Sequence, residues 1–130
     1  MNTDLVEPII TPRFALTCTD GLMTALGDLA KNKNLAVQTH VSENQAECEV
    51  AKQLFPDCND YVEIYEKTGL LGKRTLLAHG IYLSDDELTR LASAGTTIVH
   101  CPDSNTGLLS GFFNAKRTAE YGTGLLLYYF

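Results

Sequence analysis

Four short segments of this chain are almost continuously apolar, and each is followed by a stretch with helical spacing or helix caps: Ile9 to Phe14, Leu35 to His40, Thr75 to His79 and Thr96 to His100. Strands that face water on one side alternate apolar and polar residues, whereas unbroken apolar runs suit parallel strands covered on both faces. The pattern therefore predicts repeated βα units. A chain of 130 residues, 45% hydrophobic and 20% charged, has the size and composition of one globular domain.

The helices between these runs announce themselves unequally. The first is predicted over Gly21 to Lys33, with Asp20 as N-cap and Leu22, Leu26, Leu29 and Ala30 on one face. In the second, Ser42 and Gln45 have capping-box spacing, Ala46, Val50 and Leu54 form an apolar stripe, and Pro56 ends the run. A third is predicted around Tyr61 to Lys67, closed by Gly69. The sharpest start is Ser84 with Glu87, flanked by Leu83 and Leu88 as a hydrophobic staple and stopped by Gly95. A last helix, from about Thr106 to Tyr121, contains Gly107 and Gly111, each costing roughly 1 kcal/mol relative to Ala.

Parallel strands flanked by helices form either an open doubly wound sheet or a barrel of eight units and about 250 residues. Periodicity alone leaves both open, and this chain has the length of about half a barrel.

All three histidines fall at the carboxyl ends of predicted strands: His40 after LAVQT, His79 after TLLA and His100 after TIV. Ligands bind at those ends in parallel α/β folds. Neutral imidazole is the commonest transition-metal ligand, so the three define either a metal site or a set of satisfied histidines lining a cleft. Glu43, at the first turn of the second helix, is either a favourable charge at the helix N-terminus or a proton carrier beside the histidines. HCPDSN, residues 100 to 105, reads as an ordered turn that either shapes a site rim or begins a helix, because Pro102 fixes its own φ and the next three side chains can bond nearby backbone. In TPRF, Arg13 beside Phe14 suits a planar carbonyl-bearing ligand.

Several classes are excluded or disfavoured. A net charge of -6 argues against nucleic-acid or anionic-membrane partners, and no apolar stretch approaches the roughly 20 residues of a membrane span. Cys18, Cys48, Cys58 and Cys101 form no CxxC pair, and MNTDLVEP lacks signal-peptide regions, so reduced thiols and a cytoplasmic location are expected. Neither HExxH nor the HxE with PCxxC of the cytidine-deaminase fold occurs.

TPRF (11–14), QTHVSEN (38–44), LLAHGIYLS (76–84), HCPDSN (100–105) and LLSGFFN (108–114), taken together and in order, resemble the guanine deaminase family of the amidohydrolase superfamily. The resemblance covers residues 7 to about 121. It implies an α/β fold, part of a distorted (β/α)8 TIM-type barrel, with residues 1–121 as the partial barrel domain and 122–130 as a divergent tail. It further implies hydrolytic deamination of guanine to xanthine and ammonia with one zinc ion. By the same resemblance His40 and His79 are metal ligands, Glu43 and His79 are catalytic, and Arg13, Phe14, His40 and Glu43 bind the purine, with Arg13 near its O6. For the complete enzyme a homodimer is implied.

Two family features are missing. No HxH pair occurs, and where the family has GTD the chain reads GTGLLLYYF. A truncated form with little or no activity alone is therefore expected. The alternatives are a noncatalytic product that associates with a full-length deaminase subunit, or another purine or pyrimidine aminohydrolase.

Overall fold

The structure is a computed structural model and describes residues 6–128. Residues 1–5, which open the segment read above for a signal peptide, and 129–130, which close LLLYYF, lie outside the described residues. Five parallel strands form one sheet in the order β1-β2-β3-β4-β5. They are β1 (Ile9–Ile10), β2 (Ala36–Val41), β3 (Thr75–His79), β4 (Thr97–His100) and β5 (Gly124–Leu127). The connecting helices are α1 (Asp20–Lys33), α2 (Gln45–Leu54), α3 (Tyr61–Lys67), α4 (Asp85–Ala94), α5 (Pro102–Gly107) and α6 (Ala115–Glu120).

Strictly consecutive order decides between the two closures. Crossovers between parallel strands are right-handed, so repeated steps in one direction put every connection on the same face. A doubly wound sheet must reverse direction, and this one never does. The chain is an arc of a (β/α) barrel, left open, with β1 and β5 at its edges.

The two faces differ accordingly. Val37, Thr39 and Val41 of β2, with Thr75 and Leu77 of β3, are buried, and Ile98 of β4 joins them in the core. Their neighbours Gln38, Leu76, Ala78 and Val99 align across the opposite face and remain exposed or half-buried. Continuous apolar runs thus reflect a helix-covered face and a concave face that the arc leaves uncovered. Within the segment set apart above as a tail, β5 (Gly124–Leu127) pairs in register with Thr97–His100.

Helix starts follow cap chemistry, with local departures from expectation. For α1 the cap is Thr19, whose hydroxyl accepts from the Leu22 N–H at 3.2 Å, and Asp20 is already inside the first turn. Its buried face is Met23, Gly27 and Ala30, while Leu22 and Leu29 are exposed. Gly27 sets that rotation: a Cβ there would stand 2.1 Å from the Thr68 carbonyl oxygen, so only glycine lets α1 approach the end of α3 this closely.

The α2 cap is Asn44, not Ser42, and the buried residues are Glu47 and Ala51 rather than the Ala46, Val50, Leu54 stripe. Glu47 stays inside because its carboxylate accepts from the Glu43 N–H at 3.1 Å. By contrast α4 matches its signals: Ser84 and Glu87 form a reciprocal capping box, Leu83 and Leu88 are buried, and Gly95 closes the helix at φ 73.

Two expected elements differ more. The first strand stops at Ile10, because Pro12 has no N–H for the ladder, and Arg13 and Phe14 lie in the loop that follows. The long last helix is instead α5 and α6, separated by residues 108–114. HCPDSN takes the second of its two readings and begins a helix, with Pro102 as the first residue of α5, where a missing N–H costs nothing. Among the described residues no helix is long and apolar enough to cross a membrane.

Candidate active site

His40 reaches the concave face near the carboxyl end of β2. Its Nδ1 lies 2.6 Å from the Arg13 carbonyl oxygen. A carbonyl can only accept, so Nδ1 carries the proton and Nε2 is left with its lone pair. The same carbonyl accepts from the Thr39 hydroxyl at 3.2 Å. Behind them Tyr65 of α3, fully buried, donates to the His40 carbonyl at 2.7 Å and accepts from the Ala15 N–H at 3.1 Å. Burial pushes its phenol up to about 12, so it remains a donor at neutral pH. Tyr65 thereby ties the TPRF loop to the strand that carries His40.

His79 reaches the same place by a strained route. Strand alternation groups it with Thr75 and Leu77, toward the helices. Its φ of 74, a left-handed value costing of order 1–3 kcal/mol for a residue with a Cβ, takes it out of that alternation. The imidazole then stacks on that of His40, with centroids 5.2 Å apart and planes at 21°. Its Nδ1 is 2.7 Å from Asn105 Oδ1, and its Nε2 is 3.7 Å from Glu43 Oε2. The other carboxylate oxygen accepts from the Ser110 hydroxyl at 3.1 Å, while the Ser110 carbonyl accepts from Tyr82 at 2.7 Å.

His100 differs from the other two. It stacks on Phe113, centroids 4.7 Å apart, and its Nδ1 is buried with no partner. Burial, then the nearby His79, lowers its proton affinity below the ordinary histidine range.

A hollow of about 550 Å³ opens on the concave face, lined by Gln38, His40, Leu76, His79, Val99 and Leu126 among others. Glu43 does not line it but stands beside His79, which does. Phe14 meets the His40 ring edge-on at 6.2 Å, and the Arg13 guanidinium sits 5.5 Å over Phe14. Five of the residues singled out from the sequence, Arg13, Phe14, His40, Glu43 and His79, thus form one connected group, while His100 packs on Phe113. Tyr65, Ser110 and Tyr82 carried no such sequence expectation. Tyr65 had a signal, because a tyrosine in an apolar helical stripe must find its hydroxyl a partner.

For a metal, the donor chemistry fits in part. His40 has its proton on Nδ1, and His79 Nδ1 likewise stands against an outer partner, Asn105, of the kind that orients metal-binding imidazoles. Among the described residues no group of three His, Cys, Asp or Glu side chains could hold a metal ion.

The strand ends of this singly wound parallel arc carry imidazoles and a carboxylate, and the amidohydrolase family model matches residues 1–128: the chain belongs to the amidohydrolase family. Within it, the chain is 47% identical over 127 residues to guanine deaminase of Rattus norvegicus, covering 95% of this chain and 28% of that protein. The crystal structure of guanine deaminase from C. acetobutylicum with bound guanine in the active site superposes with a TM-score of 0.93 at 42% identity, over 96% of this chain and 30% of that one. An adenosine deaminase from Xanthomonas campestris with bound zinc gives 0.84 at 25% identity, over 90% and 26%. The chain thus spans less than a third of the length of each.

Proposed function

We propose that this chain carries the proton-transfer and purine-contact part of a guanine deaminase site, which converts guanine and water to xanthine and ammonia. The observation that carries the reading is the row of His40, His79 and Glu43, anchored from behind, in which the two histidines line one hollow and Glu43 stands beside His79. Its similarity to guanine deaminases supports guanine as the substrate.

In this reading Arg13 and Phe14 grip the planar purine, the guanidinium toward its O6. Zinc, when bound, would supply the Lewis acidity that makes water nucleophilic at neutral pH. His40 and His79 would each offer it an Nε2 lone pair. Glu43 takes one proton from the water that attacks C2 and delivers it to the ring nitrogen, then carries the proton of the resulting C2 hydroxyl to the exocyclic amine, which leaves as ammonia as the C2 carbonyl forms. Its backbone N–H is fixed by Glu47 and its Oε1 by Ser110, so Oε2 is the oxygen free to shuttle. General acid–base work of this kind contributes on the order of 10²–10⁴ in rate.

Two histidines are too few for a catalytic zinc site, which usually has three protein ligands and a water. We therefore expect the 130-residue chain by itself to release little or no ammonia. Guanine-dependent ammonia release by the purified, zinc-supplemented chain, with His40→Ala as control, decides this. Turnover lost in the control would show that the chain completes a site, and would overturn the expected inactivity.

A second reading is favoured by the open sheet: Leu126 and Leu127 of the edge strand are 50% and 56% exposed. Such a surface suits a noncatalytic product that associates with a full-length deaminase subunit through its uncovered barrel edge. Co-purification with a complete deaminase would support it, and a monomer indifferent to that enzyme would end it. If Arg13→Ala in a complete enzyme left guanine affinity unchanged, another aminohydrolase substrate would replace guanine.

A further inference from the structure

Both members of the His79–Glu43 pair are held from one short stretch of chain. Asn105 and Ser110 are buried, at 3% and 7% exposure, and the Ser110 N–H donates to the Asn105 carbonyl at 2.9 Å. Their side chains divide the work: Asn105 Oδ1 meets His79 Nδ1 at 2.7 Å, and Ser110 Oγ meets Glu43 Oε1 at 3.1 Å. What remains is the 3.7 Å gap between His79 Nε2 and Glu43 Oε2.

A neutral imidazole has one N–H, so the direction of the Asn105 amide decides what that gap is. With the amide oxygen on Nδ1, the proton is there and Nε2 offers a lone pair. With the amide reversed, its NH2 would donate to Nδ1, and the proton would move to Nε2, pointing at the carboxylate. A finished N–H···carboxylate bond closes to about 2.7–3.2 Å. The observed gap is wider, and Asn105 Nδ2 is buried with no partner, so its contact with His79 is what orients the amide.

We propose that Asn105 is a positioning residue: it fixes His79 as the Nδ1–H tautomer while Ser110 occupies Glu43 Oε1, leaving Nε2 and Oε2 as two acceptors that converge on one proton-donating or cationic occupant. The catalytic consequence rests on the deaminase reading above, whereas the tautomer is a property of the chain by itself. His40 makes the same arrangement with a backbone carbonyl, which cannot reverse. Asn105 gives His79 by side chain what strand β2 and the TPRF loop give His40 by backbone.

Long-range ¹H–¹⁵N correlation spectra of the metal-free, ¹⁵N-labelled chain at pH 8 read the tautomer directly, with His79 assigned by its disappearance in His79→Gln. Expected is a proton on Nδ1 of His79 in the unaltered chain and in Asn105→Asp, which keeps an acceptor oxygen, and a shift toward Nε2–H in Asn105→Leu. His40 reports on the fold, since its Nδ1–H survives wherever the Arg13 loop is intact. Nε2–H on His79 in the unaltered chain overturns the proposal, as does a folded Asn105→Leu with its tautomer unchanged. Should Asn105→Leu not fold, the unaltered chain and Asn105→Asp still decide. In a form that turns over guanine, Asn105→Leu should lower kcat roughly 10–100-fold with KM held, and Asn105→Asp should recover most of it. Unchanged guanine affinity in Arg13→Ala of a complete enzyme would count against the deaminase reading and leave the tautomer result standing.

Discussion

The carboxyl ends of β2 and β3 and the carboxyl end of β4 carry the same residue in the same place, yet they are built differently. His40 and His79 each have Nδ1 against a carbonyl oxygen, and they stack on each other beside Glu43. His100 has an orphaned, buried Nδ1 and lies flat on Phe113. A strand end thus supplies only position. What turns an imidazole into a ligand or proton partner is the hydrogen bond on its far nitrogen, which fixes what the near nitrogen offers.

The largest effect should come from the carboxylate that singles out the first region. Glu43→Gln keeps the Ser110 contact available and the shape of the side chain but removes the carboxylate proposed to carry the proton. Turnover in any form that deaminates guanine should fall by on the order of 10²–10⁴ with little change in KM, measured by steady-state ammonia release. His100→Phe in the same assay should change kcat by less than about tenfold. Equal losses from the two would dissolve the distinction between the regions.

Next in size is the anchor behind His40. Tyr65→Phe removes one buried hydroxyl that donates to the His40 carbonyl and accepts from the Ala15 N–H. Leaving such groups unpaired costs about 1–3 kcal/mol, to be read as a lower urea midpoint with an unchanged m-value. The histidine region is then also the less forgiving one structurally. Unaltered stability in Tyr65→Phe would mean that Thr39 alone holds the loop.

How much of this was legible beforehand follows from the same contrast. The three strand-end histidines, the parallel alternation and the Ser84 cap could be read because each is a local pattern: an apolar run, a terminal residue, a spacing of three. The α1 face could not, because Gly27 packs against Thr68, 41 positions away, and a missing Cβ leaves no periodic trace. Nor could the break between α5 and α6, where Ser110 is drawn inward by Tyr82 and Glu43 from elsewhere in the chain. His100 shows the opposite limit, since nothing local in TIVH distinguishes it from TLLAH. Its role is decided by Phe113, thirteen residues on, and by having no equivalent of Asn105.

The smallest effect tests His100 through its own protonation. Burial and His79 hold its folded affinity for protons below that of the unfolded chain, whose value is near 6.5. Around and below that pH the unfolded state binds more protons than the native one, so stability rises with pH there. The metal-free chain should therefore keep its full stability above about pH 6.5 and lose some as pH falls through the depressed folded value. His100→Phe retains an aromatic ring against Phe113 and has nothing to protonate. Thermal midpoints of the two chains between pH 8 and pH 5 should run parallel at the alkaline end and separate toward the acid end, the unaltered chain falling faster. Parallel lines throughout would mean that water or a neighbouring acceptor relieves the His100 imidazolium, and His100 would then be closer in kind to His40 and His79 than its orphaned Nδ1 indicates.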